Sequence, residues 1–126
     1  MPPLGIEVSA RFKSEARSLT GEQLDQVDVA LSLLSDFERD LPKRVDQIVE
    51  RIRQGDAPAA AESAHALKGA AGIVTAESLR MLAAEIEAAG KAGDLTRIAS
   101  LADQLRAEAQ RCLRFIPELQ ERINAS

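Results

Sequence analysis

The chain holds one histidine, His65, in the stretch AHALKGAAG from Ala64 to Gly72, with Lys68 three residues on and Gly69 at the fourth. On a helix, residues at i+3 and i+4 share a face and side chains lean toward the N-terminus, so the Lys68 ammonium is expected to reach back over the imidazole. A cation in that place keeps the ring neutral and nucleophilic, and stabilises an anion carried on its nitrogen. Glycine inside a helix costs about 1 kcal/mol relative to alanine, so Gly69 and Gly72 point to a surface that something must approach closely. Each feature also has an ordinary explanation. A lone exposed histidine is usually just solvated, a lysine one turn away is common, and a glycine pair can simply let two helices pack.

Few other residues offer chemistry. His65 and the lone Cys112 are too far apart to form a local ligand pair, so no metal is expected. One histidine with scattered carboxylates lacks a nucleophile with an oriented base and oxyanion donors, and no glycine-rich nucleotide loop is present. The expectation is a protein that is not an enzyme and has no cofactor. A net charge of -4 argues against a nucleic-acid partner, and no run of some eighteen apolar residues offers a membrane span. A single cysteine excludes an internal disulfide and fits a reducing compartment, and residues 1–18 show no apolar signal-peptide core, so a cytoplasmic location is expected.

The elements that must position His65 are helical. Hydrophobic residues make up 45% of the 126, charged residues 29% and aromatics only 2%, with many Ala, Leu, Glu, Arg and Gln, a composition that favours helices in one globular domain. A capping box at Thr20 and Gln23 opens a helix whose stripe runs Leu24, Val27, Leu31, Leu34, Phe37 and Leu41. Pro42 predicts a kink or restart, with Val45, Ile48, Val49 and Ile52 carrying the face to QGD at Gln54–Asp56. The next helix starts at Asp56 or Ala57 with Pro58 in its first turn. Thr75 is the predicted N-cap of a third helix with Leu79, Leu82, Ala83 and Ile86 inward. Asp94 caps the last, striped by Leu95, Ile98, Leu101, Ala102, Leu105, Ala109 and Cys112, until Pro117 breaks it into a short tail. A further short helix is expected over Val8 to Ser18.

Short connections between long amphipathic helices predict an all-α fold, an antiparallel up-and-down four-helix bundle with short additional terminal helices. Residues 1–126 form one domain, with the bundle core at about 20–116. The many alanines of the His65 helix and its successor make that pair the tightest. In the His65 helix, Ala60, Ala64, Leu67, Ala71 and Val74 trace the buried stripe. At roughly 100° per residue His65 lies about 160° from Leu67, so its ring projects from the solvent side or the shoulder.

These segments resemble the histidine-containing phosphotransfer (HPt) domain family. AHALKG at Ala64–Gly69 is similar to its A-H-x-L-K-G core, AESL at Ala76–Leu79 to its A-x-x-L helix start, and the Phe37–Pro42 run and the two G-D endings also fit. The resemblance spans roughly Leu24 to Cys112. It departs where many members have Asn and Gly before A-x-x-L, since Ile73 and Thr75 stand there. The resemblance implies a phosphoacceptor His65, phosphorylated on Nε2 by a receiver aspartyl phosphate and passing the group to another response regulator. It also implies a Lys68 that neutralises phosphoryl charge, a Gly69 that leaves room, and an amide or carboxylate on the next helix, Glu87 here, holding the other ring nitrogen. Its partners are receiver domains of response regulators or hybrid kinases, docking over exposed small residues such as Ala61 and Gly72 on a monomer. The alternatives are the phosphotransfer fragment of a hybrid or chemotaxis-type kinase, and a helical interaction module that is never phosphorylated.

Overall fold

The computed structural model describes residues 21–125, with side chains from residue 27 onward. Four helices fill this span: α1 (Gly21–Arg53), α2 (Ala57–Ile73), α3 (Glu77–Lys91) and α4 (Leu95–Asn124). The helix expected over residues 8–18 and the side chains of the Thr20 capping box lie outside the described residues.

The three connections are built alike. After α1, the amide of Gly55 donates to the Ile52 carbonyl and that of Asp56 to the Arg51 carbonyl. After α3, Gly93 donates to Gly90 and Asp94 to Ala89. This paired pattern caps the last carbonyls of a helix and needs a left-handed residue at its centre, met by Gly55 at φ +70° and Gly93 at φ +72°. The aspartate that follows then starts the next helix. Asp56 accepts from the Ala59 amide at 3.1 Å and Asp94 from the Arg97 amide at 3.0 Å. After α2 the same bonds recur, from Thr75 to Gly72 and from Ala76 to Ala71, but a β-branched threonine takes the left-handed place at φ +54°. Thr75 is therefore not the N-cap of α3, as the sequence predicts. That position falls to Ala76, which makes no side-chain cap bond and is fully buried, so an aspartate is not accommodated there.

Such short turns force chain neighbours to lie antiparallel. Each helix packs on its neighbours and α1 closes against α4, giving an all-α, up-and-down four-helix bundle. Its centre holds Leu34, Leu41, Ile48, Leu67, Leu79, Ile86, Ile98 and Leu105, each 2% exposed or less. At 1.5 Å per residue α1 is about 50 Å long and α2 about 25 Å, so α1 and α4 run on together past the α2–α3 hairpin. There Leu34 and Phe37 share a core with Ile116, Leu119 and Ile123, and the Gln120 amide donates to the Ser35 hydroxyl at 3.0 Å.

Both prolines sit inside continuous helices, a correction to the predicted break at Pro117; at Pro42, where the sequence predicts a kink or restart, the helix does not restart. Pro42 and Pro117 are exposed, off the buried stripe of each helix. The buried stripe continues across each, through Leu41 and Val45 in α1 and through Ile116 and Leu119 in α4. Burial of those side chains outweighs the loss of one helical bond. No short terminal helix follows Pro117; the segment is the end of α4.

The broadest packing joins α2 and α3. A Cβ on Gly90 would stand 2.8 Å from the Ala57 carbonyl oxygen and 2.8 Å from the Ala61 Cβ, so only glycine lets the two backbones come this close. Gly90→Ala is expected to cost about 1–3 kcal/mol, as overpacking does, read as a lower urea midpoint. Thr75→Asn, which tolerates the left-handed region better, is expected to raise stability by about 0.5–1 kcal/mol in the same measurement.

Candidate functional site

The register fixed by Gly90 sets what faces His65. The imidazole stands on the exposed shoulder of α2, its side chain 67% exposed, and across the α2–α3 seam the Glu87 side chain is only 9% exposed. The two meet at 2.8 Å between Nδ1 and Oε2. The other carboxylate oxygen of Glu87 accepts from the Lys68 ammonium at 2.6 Å, and Lys91, one turn on along α3, brings its ammonium to 3.3 Å from Oε2.

Its hydrogen-bond donors decide the charge of this carboxylate. Lys68 above all, then His65 and Lys91, hold the Glu87 carboxyl down at about 2 against the opposing effect of burial. Glu87 is therefore ionised at neutral pH and can only accept. It follows that Nδ1 carries the proton, and that in the neutral ring the lone pair sits on Nε2, which has no partner among the described residues. Glu87 thus selects one tautomer and fixes the orientation of the ring, leaving an exposed nucleophilic nitrogen.

Each predicted site residue can now be placed. His65, Lys68 and Glu87 form one bonded cluster. The Lys68 ammonium rests on Glu87, where the sequence places it over the ring. Gly69 is exposed, and a Cβ there would meet nothing within 4 Å. Gly72 is also exposed, with Arg80 Cδ 3.7 Å from where its Cβ would stand. Neither glycine is demanded by helix packing. Ala61 is corrected: it is 5% exposed, buried because Gly90 lets α3 close over that shoulder of α2. It forms part of the floor of an open groove of about 500 Å³ shared with Pro58, Glu62, His65, Glu87, Gly90 and Lys91. Lys91 was not anticipated; its only sequence signal is its place four residues after Glu87. Among the described residues no group of three His, Cys, Asp or Glu side chains could hold a metal, and no helix is long and apolar enough to cross a membrane.

A histidine held this way in a helical bundle agrees with the comparison to known families, in which the Hpt domain model matches residues 32–124. The chain belongs to the Hpt domain family. No curated protein and no solved structure matches it. Hpt domains are phosphocarrier modules of two-component signalling, working with receiver domains rather than turning over a substrate of their own. In this Hpt domain the match begins inside α1 and runs to the end of α4, so all four helices contribute to it.

The depressed Glu87 carboxyl fixes the sign of a pH effect. A carboxyl near 4.5 when unfolded and about 2 when folded adds stability that is fully present above about pH 5 and is lost as pH falls toward 2. Urea unfolding of the wild type should therefore show a midpoint that falls through this window, and Glu87→Gln should flatten that fall. Equal acid limbs in the two proteins would contradict the assignment.

Proposed function

We propose that the chain is a phosphorelay carrier in which His65 accepts a phosphoryl group on Nε2 from the aspartyl phosphate of one receiver domain and delivers it to an aspartate of another. The observation that carries this reading is the bond between Glu87 and Nδ1, which leaves Nε2 as the free and exposed nitrogen.

The step balances without a proton acceptor. The Nε2 lone pair attacks phosphorus, the bond from phosphorus to the aspartyl oxygen breaks, and the electron pair leaves with the aspartate carboxylate. The ring keeps its Nδ1 proton and takes on positive charge, which the Glu87 carboxylate offsets at 2.8 Å. Lys68, one turn from His65, neutralises the added phosphoryl charge, and the bare surface at Gly69 leaves room for the receiver to close on the ring. Delivery is the reverse attack, by a receiver carboxylate on phosphohistidine. The carrier acts as a monomer in the cytoplasm and takes its phosphoryl group from a partner, with no ATP site of its own. Gly72 lies under the docked receiver; Ala61, being buried, does so only as the floor of the groove.

Purified protein and its His65→Gln variant, incubated with receiver domains charged by radiolabelled acetyl phosphate, test the reading. Label that is acid-labile, base-stable and absent from the variant is the expected result. No label on the wild type from any receiver, or label that survives in His65→Gln, overturns it.

A further inference from the structure

A glutamate followed four residues later by a lysine is an ordinary ion pair of helix surfaces and by itself has no further role. Glu87 and Lys91 depart from that pattern in one respect. The lysine side chain is 70% exposed and the glutamate only 9%, so the ammonium reaches over the shoulder of α3 to a carboxylate largely withdrawn from water. The oxygen it meets, Oε2 at 3.3 Å, is the one that accepts the Nδ1 proton of His65 at 2.8 Å. Lys68 is bonded to the other oxygen, Oε1.

The two lysines therefore do different things to Glu87. Because α2 and α3 run antiparallel, one turn on from His65 and one turn on from Glu87 lie on opposite sides of the pair. Lys68 comes from the side of Gly69. Lys91 comes from the groove on the other side, whose walls include Pro58, Glu62 and Gly90 but not Lys68. On Oε2 the ring and Lys91 compete. A carboxylate oxygen can accept from both, but charge engaged by one donor is less available to the other. The ring has the shorter contact, so Lys91 trims its bond to Glu87 without breaking it.

That share matters once the ring is phosphorylated. With the group on Nε2 and a proton on Nδ1, the bond from phosphorus to Nε2 breaks to release neutral imidazole, a good leaving group. Without the Nδ1 proton the same break would expel imidazolate, a strong base and a poor leaving group. Transfer to a receiver carboxylate and loss to water both draw on the protonated ring. In the loss to water, a water oxygen attacks phosphorus, the electron pair of the broken bond returns to Nε2, and the attacking water gives up a proton to solvent. The ring ends neutral, still protonated on Nδ1.

Resting on the phosphotransfer reading, we infer that Lys91 is a positioning residue that, through Oε2 of Glu87, sets how firmly the phosphorylated His65 ring holds its Nδ1 proton, and so how long phosphohistidine lasts between receivers. Glu87 draws the proton onto the ring. Lys91, by engaging part of the charge on Oε2, loosens it, so the group is kept longer than a lone carboxylate would allow. Four charged groups face the ring and its acceptor: Glu87 and Lys91 from α3, Lys68 and Glu62 from α2. Glu62 is exposed at the groove and makes no ion pair with Lys91 or the ring among the described residues, and α1 and α4 supply no wall of the groove.

His65 is the only histidine of the chain, so one phosphohistidine signal reports it. The wild type, Lys91→Met, Lys91→Arg and a charge control at the far end of α4, Arg122→Met, are phosphorylated with phosphoramidate, which needs no receiver. Loss of phosphohistidine is then followed by phosphorus NMR from about pH 5 upward, where Glu87 is ionised. In Lys91→Met the ring should keep its proton to higher pH, moving the limb over which the loss slows upward by about half a unit, the size expected for an exposed ion pair. On that limb the variant should lose its group about threefold faster, and at the acid end its rate should equal that of the wild type. Lys91→Arg and Arg122→Met should follow the wild type. Coincident profiles for wild type and Lys91→Met, an equal displacement in Arg122→Met, or a change of rate at every pH without displacement each overturn the inference and leave the phosphotransfer reading standing. A wild type that phosphoramidate does not phosphorylate on His65 overturns both.

Discussion

Where Gly90 crosses α2, the Ala57 carbonyl and the Ala61 methyl fill the space a side chain would need. This close approach fixes the axial register of α2 against α3, and the rest of the site follows from it. One turn back along α3 from Gly90 the Glu87 carboxylate is brought under the edge of α2, within 2.8 Å of one ring nitrogen and 2.6 Å of the Lys68 ammonium. A slip of one residue would turn Glu87 by about 100° and carry it 1.5 Å along the axis, out of reach of both. The position of the Nδ1 proton therefore depends on the absence of a single methyl group.

The electrostatics of the site are those of a single buried anion shared among three donors. A carboxylate so enclosed is tolerable only when its oxygens are satisfied. Glu87 is the anchor to which both the His65 ring and the Lys68 ammonium are tied. Because Lys91 also reaches Oε2, each oxygen of Glu87 has a lysine partner. Glu108, the other buried carboxylate among the described residues, is served less well, with Arg111 at 3.7 Å from one oxygen and no partner for the other.

Much of this was legible in the sequence, for identifiable reasons. The 3.6-residue stripe from Ala60 to Val74 put His65 on the exposed shoulder, since angular position on a helix depends on the backbone alone. Asp56 and Asp94 announced their helices because a carboxylate cap is a local interaction. What stayed hidden was non-local. Lys68 bonds Glu87 rather than covering the ring, because the carboxylate arrives from a helix nineteen residues away. Ala61 looked exposed from the stripe of its own helix, and is buried by a neighbour whose approach Gly90 controls. Pro117 read as a break, and Pro42 as a kink or restart, because a proline's local cost is visible in sequence, whereas the burial of Leu41, Ile116 and Leu119 that keeps each helix continuous is not.

The α1–α4 seam joins the two ends of the described chain, and the Ser35–Gln120 bond on it spans 85 residues, against 22 for the bond between His65 and Glu87. Closing the longer loop costs about 1 kcal/mol more chain entropy, so topology favours the reactive hairpin as an early and locally assembled unit, with the long seam as the last to zip. The overhanging halves of α1 and α4 then act as a clasp.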